Sequence, residues 1–272
     1  MNYGKFLWIP VDKFPTPCEP AHALSYLNLS GSLLMHVPLH QLLPAPTCET
    51  TLPEAYSGPL GTHPDRPWVG LCMVASLDGS TVVNGASAGL SSPNDSGVLL
   101  ALRSVADVIL VGAGTARGEG YGPPSKAGQR IGIVTRSGVI DPDSTLFSSG
   151  AGFIVTTENA QLDPAARDIE TLRVGDDTVD LALAITKIAT IVPGTQFIQV
   201  EGGSRLNGAL SSADLFDEMN LTISPGTVGG AGPRLTTGAI DHTHRFELAQ
   251  LLVDDESFVF SRWRRRRTPS SP

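Results

Sequence analysis

The sequence predicts an α/β fold: a mixed, mostly parallel sheet with helices on both faces and a C-terminal antiparallel hairpin. Three observations carry the architecture. From Arg66 onward, short apolar runs alternate with segments of helical periodicity, the pattern of a parallel sheet covered on both sides. Three of the runs lead into glycine clusters, as strands do when they turn into helices or loops. The chain closes on two apolar runs, Phe246–Val253 and Ser257–Trp263, flanking Asp254-Asp255-Glu256, and this reads as a hairpin.

The elements follow in order. Residues 1–65 hold ten of the 21 prolines but four of the 29 glycines, and the prolines break each candidate element there. The apolar stretch Leu24–Leu43 has no clean period, so this part reads as an extension that packs on the main domain or on a second subunit. Residues 66–263 form the main domain. Trp68–Ala75 is a strand ending in Ser76-Leu77-Asp78-Gly79, and Pro93–Ser104 is a helix with Pro93 in its first turn. Asp107–Val111, Ile131–Thr135 and Phe153–Thr157 are buried strands. Pro164–Asp168 is a short helix before an extended Glu170–Val174, and Val179–Ile191 is a longer helix. Phe197–Val200 is a strand, Arg205–Leu210 opens a helix, and Leu221–Ser224 is a further strand. Residues 264–272 read as a basic, flexible tail, Arg262 to Arg267 being solvated near the terminus.

Composition limits the function. With 272 residues, 41% hydrophobic and 17% charged, the chain can bury a core, which excludes wholesale disorder. The net charge is −8, and without the five arginines of 262–267 the rest stands near −13, which argues against nucleic-acid partners. Cys18, Cys48 and Cys72 form neither a disulfide framework nor a CxxC pair, so no metal site is expected. No apolar run approaches the ~20 residues of a membrane span, and the start has no apolar leader core. A cytoplasmic protein is the expectation.

The glycine clusters are Gly112-Ala113-Gly114-Thr115-Ala116-Arg117-Gly118, Glu201-Gly202-Gly203-Ser204 and Gly229-Gly230-Ala231-Gly232. Glycine lets backbone amides approach a phosphate, and a helix N-terminus adds a favourable dipole. Several such turns at neighbouring strand ends would form one nucleotide crevice, whereas each alone is equally a tight strand–helix turn. Past the first cluster comes Thr135-Arg136-Ser137, where nicotinamide-binding folds place an acid for a ribose hydroxyl or an arginine for a 2′-phosphate; Arg136 favours NADP. Asp78-Gly79 suits a hairpin turn, Arg103 suits a helix C-terminus, and Cys72 suits a core.

Taken together, Val74-Ala75-Ser76-Leu77-Asp78-Gly79, Ser91-Ser92-Pro93, Leu102-Arg103, Ala106–Thr115, Val200-Glu201-Gly202-Gly203 and Thr222-Ile223-Ser224-Pro225 resemble, in order and spacing, the reductase domain of riboflavin biosynthesis, over about Arg66 to Trp263. The nearest likeness is to stand-alone actinobacterial members. The resemblance implies a dihydrofolate-reductase-like fold and NADPH-dependent reduction of the ribosyl group of 5-amino-6-(5-phosphoribosylamino)uracil to ribityl. It implies that Val74, Gly89, Thr115, Glu119 and Ser137 line the NADPH site. Gly203 to Ala209, among them Ser204, Arg205 and Leu206, with Gly202 before them, would wrap its phosphates; the residue reading above adds Gly112, Gly114 and Arg136. Ser87, Arg103, Lys126 and Glu201 would face the substrate. As general acid, water, the substrate's own amine or Glu201 could serve, with Asp78 a further candidate by its place at a strand end. A homodimer is also implied. The chain departs from the family at Cys72, where most members have a lysine, and in the loop Gly118–Pro124, where most have Asp-Asp-Pro. Those departures keep two alternatives open: reduction of a pterin or dihydrofolate-like substrate, and a non-catalytic NADP-binding paralogue.

Overall fold

A computed structural model describes residues 37–267. One eleven-stranded sheet organises them. The strands are β1 (Leu39–Leu43), β2 (Cys48–Thr50), β3 (Trp68–Ser76), β4 (Val108–Gly112), β5 (Arg130–Val134), β6 (Gly152–Thr156), β7 (Thr171–Arg173), β8 (Phe197–Val200), β9 (Glu218–Ser224), β10 (Phe246–Asp254) and β11 (Val259–Arg265). Their order is β2-β1-β10-β11-β9-β3-β8-β4-β5-β6-β7. From β9 to β7 every pairing is parallel, and from β9 outward through β11, β10, β1 and β2 every pairing is antiparallel. This is the mixed sheet with a C-terminal antiparallel hairpin that the sequence predicts.

The period-2 pattern assigns side chains to faces. Along β3, Val69 and Leu71 enter one core with Leu206 and Leu210 of α6 (Ser204–Ser212) and Ala184 and Ile185 of α5 (Leu181–Lys187). Trp68 and Cys72 enter the opposite core with Val98 and Leu102 of α2 (Pro93–Val105). Helix α2 forms where its sequence says. Ser92 caps it by accepting from the Asp95 amide at 3.1 Å, Pro93 opens the first turn, and Arg103 lies in the last turn. A third core joins Ile109, Val111, Ile131 and Ile133 with Leu146 of α4 (Thr145–Ser148).

Four features differ from the sequence reading. The proline-rich segment forms elements after all: β1 pairs with β10, and α1 (Leu52–Ala55) packs its buried Leu52 and Ala55 into the α2 core. Proline is compatible there because Pro53 sits in a first turn, where no amide partner is needed. The stretch after Gly112, read as a turn, is the short helix α3 (Ala113–Gly118). The helix expected over 179–191 is α5 followed by a 3-10 turn, Ile188–Thr190.

The arginines of 262–267 are the fourth. Four of them are paired with acids: Arg262 and Arg267 with buried ones, Arg264 and Arg265 with partly exposed ones. Arg262 is 4% exposed: it donates to Asn220 Oδ1 at 2.9 Å, to the carbonyls of Ala55 and Gly58 at 2.8 and 2.7 Å, and pairs with Glu218 at 3.3 Å. It thereby pins the N-terminal segment to the sheet. Arg264 pairs with Glu247, Arg265 with Asp214, and Arg267 with the buried Asp217. Residues 1–36 and 268–272, including Cys18 and most of Leu24–Leu43, lie outside the described residues. Among the described residues no helix is long and apolar enough to cross a membrane, and no cluster of metal-ligating side chains occurs.

Candidate active site

Two clefts open at the C-terminal ends of the parallel strands, where an open α/β sheet places its ligands. They meet at Gly114-Thr115 and Gly203-Ser204, which line both. The junction is made by two of the glycine clusters. The Gly112 amide donates to the Gly202 carbonyl at 2.7 Å. A Cβ on Gly203 would lie 2.4 Å from Thr115 Oγ1, and one on Gly112 would lie 3.3 Å from the Gly203 nitrogen. A side chain at Gly203 would force the Thr115 hydroxyl to move. The third cluster, 229–232, is not at the junction; the amides of Val228 and Gly229 are bound by Asp78 instead, and the expected single crevice is built from two clusters.

The second cleft, of about 830 Å³, runs over the N-terminus of α6 and the end of β5. Gly112, Gly114, Thr115, Arg136, Ser137, Gly203, Ser204, Arg205 and Leu206 all line it, with Arg117 as a further cation. Gly203 caps α6 without a side-chain hydrogen bond, so the first-turn amides are available to a ligand. Amides at a helix end and three arginines form a donor set for a phosphorylated dinucleotide. The residues present therefore fit NADPH: α6 would hold the pyrophosphate, and Arg136 with Ser137 the 2′-phosphate.

The first cleft, of about 700 Å³, lies between the ends of β3 and β8 and the start of α2. Val74, Ser87, Thr115, Glu119 and Glu201 line it, as do Cys72, Asp95 and Tyr121, which the sequence reading did not place in a site. Glu119 accepts the Ser87 amide at 2.9 Å, joining the two loops of the rim. Glu201, its side chain 2% exposed, is gripped on all sides. Oε1 accepts from Arg103 Nε at 2.7 Å and Gln199 at 2.8 Å, and Oε2 accepts from Arg103 Nη2 at 2.6 Å and Tyr121 at 2.7 Å. A carboxylate has about four acceptor positions, and all are used. Burial first, and then Glu201, push the Tyr121 phenol well above its usual range, so it remains a donor.

The other residues singled out from the sequence lie off both cleft walls. Lys126 is exposed and donates to the Ala106 carbonyl at 2.8 Å, below α2. Arg103 is turned to Glu201. Gly89 packs on Val83, where a Cβ would approach to 2.8 Å. Gly202 adopts φ +85° beneath Met73. Asp78, fully exposed, faces the 226–229 loop. Ser76 first, and then the Gly229 and Val228 amides, lower its pKa to about 2, so it carries no proton at neutral pH. Asp95 had a local signal: Ser91 Oγ donates to its Oδ2 at 2.6 Å, and serine four residues before an acid at a capped helix start is legible in sequence.

Residues 67–260 match the family model of the RibD C-terminal domain. The chain belongs to that family. The fold of this RibD C-terminal domain is similar to solved structures. One is a pyrimidine reductase-like protein of Corynebacterium diphtheriae (TM-score 0.68, 22% identity, 80% of this chain and 100% of that one). Another is the riboflavin biosynthesis reductase Rib7 of Saccharomyces cerevisiae (TM-score 0.61, 19% identity, 76% and 93%). A third is RibD of Acinetobacter baumannii (TM-score 0.63, 15% identity, 75% and 59%). No curated protein sequence matches the chain.

Proposed function

We propose that this RibD C-terminal domain is an NADPH-dependent reductase of riboflavin biosynthesis, reducing the ribosyl group of 5-amino-6-(5-phosphoribosylamino)uracil to ribityl. The observation that carries the reading is the abutment of the two clefts at Gly114-Thr115 and Gly203-Ser204. One is built of phosphate donors, the other of small polar side chains, and a dinucleotide laid across the junction would present its reactive end to the substrate. When bound, NADPH supplies a hydride to an electrophilic carbon. The chain's part is to orient the two partners, which is worth about 7–11 kcal/mol of a barrier. Thr115 and Ser204 stand at the junction; Ser87, Thr81 and Ser91 offer hydroxyls to the substrate's own.

A second reading is favoured by the charge of the first cleft. Asp95, Glu119 and Glu201 line it, and among the described residues no lysine or arginine does. A pterin or dihydrofolate-like ring needs a carboxylate partner and no sugar-phosphate clamp. The deciding experiment is NADPH oxidation by the full chain with the phosphoribosylaminouracil, with dihydrofolate and with neither. Turnover of the first alone supports the leading reading, and turnover of dihydrofolate alone moves the protein to the second. NADPH binding without either turnover leaves a non-catalytic paralogue.

The proposal includes a homodimer. Leu221, Ile223, Val259, Trp263 and Val253 share one half-exposed face of β9, β11 and β10, opposite the face that packs under α2. Sedimentation showing only monomer at micromolar concentration would remove this part.

A further inference from the structure

We infer that Asp95 is the catalytic acid of the first cleft, handing a proton to the substrate nitrogen while the adjoining carbon is reduced; this rests on the reductase reading above. The argument begins by elimination. Four carboxyls stand at or beside the cleft. Glu201 has all its acceptor positions filled by Arg103, Gln199 and Tyr121. Glu119 is exposed and binds the Ser87 amide. Asp78 faces away, onto Val228 and Gly229, and is held deprotonated there. Asp95 remains.

Its surroundings suit a proton carrier. Asp95 is half-buried in the first turn of α2 and lines the cleft. Ser91 Oγ donates to Oδ2 at 2.6 Å, and the Thr222 hydroxyl of β9 also bears on the same carboxyl. Burial raises its pKa above the usual carboxyl value, against the opposing pull of those two hydroxyls, and no cation acts on it. The titratable groups coupled to it are Cys72 of β3 and Tyr56 at the end of α1, both driven toward their neutral forms chiefly by burial. Across the cleft stand Glu119, Glu201 and Tyr121, which add no positive charge. Asp95 is thus the one carboxyl at this cleft that burial biases toward its protonated form without a filled shell of donors.

The step balances simply. Reduction of a C=N bond adds hydride to carbon and leaves nitrogen one proton short. The Asp95 O–H bond breaks, an N–H bond forms, and the carboxylate regains its proton from water through the open cleft mouth. The step serves the ring-opened imine of a ribosylamine and the C=N bond of a dihydropterin alike.

The test compares wild type with Asp95→Asn and Asp95→Ser in the full chain, by three readouts. NADPH binding, followed by nicotinamide fluorescence, is expected to stay within twofold, which shows the fold and second cleft intact. With whichever substrate turns over, kcat is expected to fall about 100-fold or more, in the general-acid range, and its decline at high pH to disappear. In ¹³C-carboxyl NMR of the wild type, one aspartate is expected to titrate above the ordinary range and to be absent from both variants. A kcat within threefold of wild type with an unchanged pH profile overturns the inference, and so does an Asp95 carboxyl titrating at an ordinary value. If wild type turns over neither substrate, the reductase reading fails by that result, and the NMR titration still decides whether Asp95 holds the proton.

Discussion

Arg103 at the end of α2 and Glu201 at the end of β8 are joined by two parallel hydrogen bonds, Nε to Oε1 at 2.7 Å and Nη2 to Oε2 at 2.6 Å. The acid side chain is 2% exposed and the arginine 22%. Removing one member leaves a charge without its partner in a water-poor setting. Arg103→Ala is expected to cost about 3 kcal/mol, read as a lower urea midpoint with unchanged slope. An effect below about 1 kcal/mol would mean that water replaces the guanidinium.

Tyr121 supplies the last donor to Glu201 and carries the loop that follows α3. Tyr121→Phe keeps the ring that lies under the Arg103 guanidinium, 5.4 Å from its centroid, and deletes only the hydroxyl. A loss of about 1–2 kcal/mol is expected, because one acceptor position of a buried carboxylate is vacated. Thermal unfolding of the variant beside wild type measures it.

Gly203 is a test of the cofactor cleft. Gly203→Ala would put a methyl 2.4 Å from Thr115 Oγ1, at the point where the clefts meet. NADPH affinity is expected to fall at least tenfold by fluorescence titration. Arg136→Ala is the complementary probe: it should weaken NADPH by about 10–100-fold, the worth of a charged hydrogen bond, and leave NADH nearly unchanged. Equal losses for the two nucleotides would place the 2′-phosphate elsewhere.

Asp78 ties the turn after β3 to the Val228 and Gly229 amides, at 3.1 and 2.7 Å. Its pKa is lowered to about 2 by Ser76 and those amides, from an ordinary 3.8. A depressed folded-state value means the tether contributes fully above the unfolded pKa and is lost as pH falls through the folded one. Hydrogen exchange at the Gly229 amide, corrected for intrinsic rate, should therefore rise between about pH 4 and about pH 2. Asp78→Asn should show the fast exchange already at pH 7.

Asp217 is fully buried beneath Arg66 (2.6 Å) and Arg267, and also accepts the Val69 amide at 2.9 Å. Asp217→Ala strands Arg66 and is expected to destabilise the chain by about 3–5 kcal/mol, read by denaturant unfolding. Arg267→Ala, whose side chain is 35% exposed, should cost about 1 kcal/mol or less.

The sequence by itself determined the parallel strands, the hairpin and the glycines at the ends of β4 and β8, though not the short helix that follows Gly112. Each is written in a local signal: apolar runs of strand length, an acidic turn between two runs, glycine where a strand end must let backbone approach. The cap of α2 was legible for the same reason, since Ser92, Pro93 and Arg103 act within one helix. Arg136, Ser137 and Gly203–Leu206 line one cleft, where strand ends of a parallel sheet lie side by side; Ser137 was legible only through the family resemblance. Only the tertiary structure decided what the charged residues do. Arg103 and Glu201 are 98 residues apart, Tyr121 and Glu201 are 80, and Arg66 and Asp217 are 151. A run of arginines near the terminus looks solvated until β11 is laid beside β9, where Glu218 and the preceding Asp217 are buried and need partners. Likewise Asp95 looks like a helix-start acid until the β9-β3-β8 order brings Thr222, Cys72 and Glu201 around one cleft. Local periodicity reports which face a side chain takes; strand order decides which distant charge it meets there.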